Sequence, residues 1–259
     1  MKFSKSRREF ALSALFFGIN ANAFTLKNPG RDEKIYKYVG DKTKHFVMVV
    51  DLRKCVGCQG CTSACIVENN VPEDNYRTFV NEYEIGSYPD VRKSFLPSLC
   101  NHCKNPSCVS VCPTGATFKR DDGIVVVDNT ICWGCGYCIN ACPYDKRFYN
   151  KKTKVADKCT FCAHRTDNGL LPACVETCVG GARVFGNLKD KNSEVYRLLS
   201  TYPTTVLNKS AGTKPQVFYI GLDSRISDYI SNLALQDDFI KRKESGITKE
   251  WSVKFKEDL

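Results

Sequence analysis

An α+β fold made of two copies of one small unit, with short strands and helices framing long ordered loops, is what the sequence predicts. Three observations lead there. All sixteen cysteines of the 259-residue chain fall into spaced sets of four. The sets alternate between two kinds, so the later half of the chain repeats the earlier one. Between them lie short β-branched runs and few long apolar stretches, which suits brief strands and single helical turns.

The chain opens Met1-Lys2-Phe3-Ser4-Lys5-Ser6-Arg7-Arg8-Glu9-Phe10, followed by an apolar stretch to Ile19 and then Ala21-Asn22-Ala23. A basic start, a short apolar region and an A-x-A site describe a secretory signal over residues 1–23, cut after Ala23. Arg7 and Arg8 sit in Ser-Arg-Arg-Glu-Phe, which resembles the twin-arginine signal for folded export, although Ala11 and Leu12 depart from the usual residues. Ten apolar residues are too few to cross a bilayer, and no later stretch is long and apolar enough either. These features predict a periplasmic protein that reaches the membrane only through a partner. Residues 24–44 read as a linker.

Residues 45–99 carry the first cysteine set with an insertion. Phe46–Val50 predicts a strand that enters the loop Cys55-x2-Cys58-x2-Cys61-x3-Cys65, and Thr62–Glu68 predicts a helical turn. Residues 70–93 contain no cysteine and read as a covering or partner-binding insertion. Residues 100–158 form a central unit. It holds Cys100-x2-Cys103-x4-Cys108-x3-Cys112 and Cys132-x2-Cys135-x2-Cys138-x3-Cys142. Between these sets, Ala116–Lys119 and Ile124–Val127 predict a hairpin closed by Arg120-Asp121-Asp122-Gly123, because Asp-Gly accepts the positive φ such turns need. Ile139–Ala141 predicts another helical turn. Residues 159–222 hold Cys159-x2-Cys162-x11-Cys174-x3-Cys178, a helix at Ser193–Leu199 and a closing strand at Gln216–Ile220. Residues 223–259 read as a helical tail, amphipathic over Ser224–Lys243 through Ile226, Ile230, Leu233 and Ile240. Residues 188–214 read as a second cysteine-free insertion.

The repeat extends beyond the cysteines. Val49-Val50-Asp51-x3-Cys55-x-Gly57-Cys58 recurs as Val126-Val127-Asp128-x3-Cys132-x-Gly134-Cys135, and Pro106-Ser107-Cys108-Val109 recurs as Pro172-Ala173-Cys174-Val175. The first and third cysteine sets match the run with which bacterial ferredoxins hold [4Fe–4S] cubanes, and Pro143 follows Cys142 as it does there. Three cysteines two residues apart can turn their sulfurs inward from one tight loop, while the fourth starts a helical turn and reaches a neighbouring cluster. Gly57, Gly60, Gly134 and Gly136 let the loop backbone come close to cluster sulfurs. Zinc knuckles use paired C-x2-C and leave the triple runs unexplained. A disulfide framework suits chains too short for a core. The four sets thus predict four [4Fe–4S] clusters held by all sixteen cysteines. The net charge of +10, of which +7 remains beyond residue 23, favours an acidic partner surface over nucleic acid, since the basic residues are dispersed. No nucleophile–base pair, dinucleotide fingerprint or P-loop is present, so no catalytic residue is assigned.

From His45 to Asp223 the chain resembles the iron–sulfur subunits of molybdopterin-dependent oxidoreductases, the group that includes dimethyl sulfoxide, polysulfide, thiosulfate and tetrathionate reductases. The likeness is carried by the four sets, by Leu99-Cys100-Asn101-His102-Cys103, by Asp122 to Asn129, and by Ala141-Cys142-Pro143-Tyr144-Asp145. These connecting stretches, with Ala156 to Cys162, Gly169 to Glu176 and Val217 to Asp223, resemble the tetrathionate branch of that group, the last two most of all. The resemblance implies a crossed ligand scheme. Cys178 joins Cys55, Cys58 and Cys61, and Cys65 joins Cys159, Cys162 and Cys174. Cys142 joins Cys100, Cys103 and Cys108, and Cys112 joins Cys132, Cys135 and Cys138. Trp133 lies beside a ligand and not at one, so no [3Fe–4S] site is implied. It also implies an electron relay between an integral membrane quinol-oxidising subunit and a molybdopterin catalytic subunit. Relays for other sulfur compounds, a quinol-to-cytochrome relay for periplasmic nitrite reduction, and a free ferredoxin-like carrier are the alternatives. His102 and His164 adjoin ligand loops and read as structural, while Lys54, Lys104, Lys158 and Arg165 could raise cluster potentials or meet a partner.

Overall fold

The computed structural model describes residues 39–233 and 252–254. The signal elements Arg7, Arg8 and Ala23, and the tail beyond Leu233 apart from one short strand, lie outside the described residues. The elements in chain order are β1 (Phe46–Asp51), α1 (Gly60–Asn69), β2 (Thr78–Ile85), β3 (Arg92–Leu99), α2 (Ser107–Ser110), β4 (Thr117–Lys119), β5 (Val125–Val127) and α3 (Tyr137–Asn140). There follow β6 (Phe148–Asn150), β7 (Val155–Asp157), α4 (Ala163–Thr166), α5 (Ala173–Glu176), β8 (Arg183–Asn187), α6 (Glu194–Thr201), β9 (Val217–Ile220), α7 (Ser224–Leu233) and β10 (Ser252–Lys254). A 3₁₀ turn also spans Lys209–Ala211.

β1 is the central strand of the main sheet, antiparallel to β8 and parallel to β9. Val47 to Val50 are all fully buried, because the strand is covered on both faces. Its period of two divides the core. Val47 and Val49 pack with Val195, Leu198 and Ile220 under α6, while Met48 and Val50 face the body that holds Cys61, Cys100, Cys159 and Cys174. Each such side chain contributes roughly 1.5–3 kcal/mol by burial. Ser193 caps α6, its Oγ accepting from the Tyr196 backbone N–H at 3.3 Å. Ile226 of α7 is fully buried, and Tyr229 and Ile230 pack against the same body.

The strands expected around the two cysteine-rich halves and the closing strand are present. β4 and β5 form the antiparallel hairpin, with Thr117 opposite Val127, and the Arg120 N–H bonds to the Ile124 carbonyl at 2.8 Å across its turn. The helical turns start two residues earlier than the sequence suggests, at Gly60 and Tyr137, because Gln59 and Gly136 take left-handed φ and open the turn directly. The larger difference is residues 70–93. Read from sequence as a covering or partner-binding insertion with no strand assigned, they supply β2 and the start of β3, a long antiparallel pair running from Thr78 opposite Leu99 to Ile85 opposite Arg92. Thr78, Val80, Tyr83 and Ile85 are buried, and Gln59 ties the first cysteine loop to this hairpin through its side-chain bonds to the Val80 carbonyl (2.7 Å) and N–H (3.2 Å). Pro97 is tolerated in β3 because that strand is at the edge of the β10-β2-β3 sheet. The β6–β7 hairpin and β8 are likewise additional to the expected elements.

Candidate metal centre

Cys55, Cys58 and Cys61 come from the loop between β1 and the first turn of α1, and Cys178 from the loop after α5. The four line one cavity of about 340 Å³, with Val80, Pro97 and Arg183 completing its wall (site 1). The loop must pass close to β3: Gly57 has φ 72°, and a Cβ there would stand 2.5 Å from the Phe95 ring. Gly134 occupies the same place in the repeat, with φ 70° and no room for a Cβ against the Lys154 carbonyl. Only glycine meets both demands.

Cys65 follows Cys61 by one turn of α1. Asn69 Nδ2 lies 3.5 Å from Cys65 Sγ and 3.7 Å from Cys162 Sγ, so one side chain bridges two cysteines from distant sets. Arg77 holds Asn69 in place by donating to its Oδ1 at 2.8 Å, and Arg77 is itself paired with Asp157 at 2.8 Å. α5, which bears Cys174, packs against α1. Cys65, Cys159, Cys162 and Cys174 are all buried and gather here as site 2.

Cys100, Cys103, Cys108 and Cys142 line a second cavity, of about 330 Å³, with Asn101, Tyr144 and Arg147 (site 3). Helices α2 and α3 then pack on each other, and Cys108, Cys138 and Cys132 share one buried cluster with Val125 and Ala156. Cys112, one turn past Cys108, accepts the Thr117 N–H at 3.4 Å beside this pair of helices. Cys132, Cys135 and Cys138, which share one loop and the start of α3, are termed site 4. Cys58 of site 1 and Cys135 of site 4 are the exposed cysteines, whereas every cysteine of site 2 is buried.

The donor chemistry fits iron–sulfur clusters better than single ions. Four thiolates on one tetrahedral zinc would lie about 3.8 Å apart, given zinc–sulfur bonds of about 2.3 Å. Among the described residues, no three His, Cys, Asp or Glu side chains form a group that could hold a single metal ion. At sites 1 and 3 the four cysteines line a common cavity instead, which leaves space for a larger inorganic core. No cysteine is in a disulfide. Burial pushes the thiols of Cys65 and Cys103 up to about 12 and that of Cys174 to about 11. At neutral pH these thiols keep their protons until a metal displaces them, so loading releases protons.

Buried cations lie between the sites. Arg183 is 3% exposed; its Nη2 donates to Thr78 Oγ1 at 2.8 Å, while Nε and Nη1 have no partner among the described residues. Arg147 donates from Nη2 to Cys108 Sγ at 3.1 Å and from Nη1 to Thr117 Oγ1 at 3.2 Å. Lys158 is 1% exposed and donates to the carbonyl oxygens of Val125 and, at 2.6 Å, Cys159. Of the four cations singled out from sequence, only Lys158 is buried. Lys54 and Lys104 are exposed, and Arg165 bonds Glu68 at 3.0 Å and also Glu176. His102 is fully buried, stacked on Phe161 at 3.7 Å, and its Nδ1 accepts the Val125 N–H at 3.0 Å; burial holds its pKa well below the ordinary value, so it stays neutral. His164 bonds Glu68 at 2.6 Å. Both histidines serve the framework. Asn69, Arg77, Arg147 and Arg183 do not stand out in the sequence. Arg183 alone leaves a trace there, as a charge inside the apolar run Ala182-Arg183-Val184-Phe185.

Exposed apolar side chains flank the two outer sites. Val56 and Val179 stand beside site 1 at 63% and 82% exposure, and Ile131, Trp133 and Tyr137 beside site 4, with Trp133 81% exposed. Among the described residues no helix is long and apolar enough to cross a membrane.

Comparison with known proteins gives concordant matches. The family of 4Fe-4S dicluster domains matches residues 91–188. The chain is 53% identical over 192 residues to the B subunit of tetrathionate reductase from Salmonella typhimurium, covering 72% of this chain and 76% of that protein. It is 38% identical over 206 residues to the iron-sulfur B subunit of a putative dimethyl sulfoxide reductase from Halobacterium salinarum, covering 68% and 79%. It is 41% identical over 218 residues to Protein NrfC of Escherichia coli, covering 83% and 95%.

Proposed function

Because the chain belongs to the iron–sulfur electron-transfer subunits of molybdopterin-dependent oxidoreductases, we propose that it is a four-site electron relay for a tetrathionate reductase. In this reading all sixteen cysteines are ligands in the crossed scheme, with Cys112 completing site 4, and the two halves of the chain descend from one duplicated unit. Bound at these sites, [4Fe–4S] clusters supply reversible one-electron transfer. The chain itself fixes the thiolates, buries every cysteine of site 2 and three of the four of site 3, and leaves sites 1 and 4 near the surface.

The observation that carries this reading is the arrangement of the sites in a single file. Sites 1 and 2 share α1, sites 2 and 3 meet around Lys158, and sites 3 and 4 share the α2–α3 pair. The only exposed cysteines among the described residues are at the two ends, where apolar side chains also collect. Two ends suit two partners: a membrane subunit that oxidises quinol and a molybdopterin subunit that reduces the acceptor. Tetrathionate is the acceptor favoured by the 53% identity to a tetrathionate reductase subunit.

Deleting the chain is expected to abolish quinol-linked tetrathionate reduction while reduction driven by an artificial dye through the catalytic subunit survives. Loss of a different acceptor would leave the relay and remove the substrate. Copurification with a multihaem cytochrome in place of a molybdopterin protein would leave the relay and remove both the molybdopterin partner and the substrate. The Arg7-Arg8 element further supports export in the folded, cluster-loaded state. Changing Arg7 and Arg8 together to Lys should leave the protein in the cytoplasm with its clusters intact, as fractionation would show; continued export would exclude the folded route.

A further inference from the structure

We propose that Arg183, Lys158 and Arg147 form a file of buried cations, one at each junction between neighbouring sites, each raising the reduction potential of the two sites that it separates. This rests on the four-site reading above. Arg183 lines site 1 and opens β8, which packs against α5, the helix that bears Cys174 of site 2. Lys158 bonds the Cys159 carbonyl of site 2 and the carbonyl of Val125, which lines site 3. Arg147 bonds Cys108 of site 3 and Thr117, whose N–H in turn bonds Cys112 of site 4.

What separates these three from ordinary buried charges is the missing carboxylate. Arg120 is as deeply buried and has two carboxylate partners, and Arg77 is paired with Asp157. None of the three junction cations is in an ion pair among the described residues; their partners there are hydroxyls, carbonyls and a thiol. A buried cation without a counter-charge is strongly unfavourable. A cubane held by four thiolates is net negative and becomes more so when reduced, so it is the counter-charge that these positions lack. The cation then favours the reduced form more than the oxidised one, which raises the potential.

The test is a redox titration of the cluster-loaded full chain, followed by electron paramagnetic resonance, for Arg147→Gln, Arg147→Lys and Arg183→Gln. In Arg147→Gln two of the four potentials should fall, by at least about tenfold in the reduction equilibrium, or about 59 mV for a one-electron couple. Arg147→Lys should keep them near the wild-type values. Arg183→Gln should lower the other two potentials and share none with Arg147→Gln. Unmoved potentials, an equal fall in all four, or the same fall in Arg147→Lys would overturn the proposal while leaving the four-site reading intact. Should both glutamine variants lose clusters, the cations are structural and the tuning role falls. A wild-type chain with fewer than four clusters would instead overturn the reading on which the proposal stands.

Discussion

Cys65→Ser is expected to empty a site whose other three cysteines belong to the last set of the chain. Wild-type protein purified without oxygen should hold about sixteen iron atoms, four per cubane, and the variant about twelve. The missing cluster should be that of Cys159, Cys162 and Cys174, and not that of Cys55, Cys58 and Cys61, although Cys65 is close in sequence only to the latter. The reason is the helix between them. Cys61 and Cys65 are one turn apart on α1, and the Asn69 amide reaches Cys65 and Cys162 together, which sets Cys65 against the last cysteine set. Site 2 lies inside the file, so its loss should stop electron passage between the ends while sites 1, 3 and 4 remain spectroscopically intact. Loss of the site 1 signal with site 2 retained would disprove the crossed scheme.

Much of this site could be read from the sequence because cysteine spacing constrains chemistry directly. Three sulfurs on one short loop can converge only in a few ways, and the Val-Val-Asp lead-in repeats at β1 and β5. The groups that join the sites were harder to read. Arg147 looks like an unremarkable basic residue in a chain of net charge +10, Arg183 shows only as a charge inside an apolar run, and only the three-dimensional course of β4 and β8 places them between cysteine sets. Lys158 is legible because it adjoins Cys159. The hairpin of β2 and β3 is hidden in the sequence for a different reason. Its alternation Thr78, Val80, Tyr83, Ile85 slips by one residue at Asn81-Glu82, and Pro97 argues against a strand until the strand is known to be an edge.

Arg120→Met should produce the largest loss of stability among substitutions away from the cysteines. Arg120 lies in the turn of the β4–β5 hairpin and is almost completely buried. Its Nη2 bonds Asp122 at 2.7 Å and Asp167 at 2.6 Å, and its Nη1 bonds the second Asp167 oxygen at 3.0 Å. Asp122 is equally buried, and its Oδ1 also accepts the Ile124 N–H at 3.1 Å, so the carboxylate cannot swing out to water without breaking the turn. The arginine thereby clamps the hairpin, which precedes site 4, to the segment after α4, which lies between Cys162 and Cys174 of site 2. Methionine fills similar space and leaves Asp122 as an uncompensated buried charge, a change that costs about 3–5 kcal/mol. Against a total of about 5–15 kcal/mol for a typical domain, this should lower the urea midpoint of the cluster-loaded protein markedly. Adding Asp122→Asn and Asp167→Asn to Arg120→Met should recover part of the loss, because no charge is then stranded. An unchanged midpoint in the single variant would mean that Asp122 finds another partner when the clamp is removed.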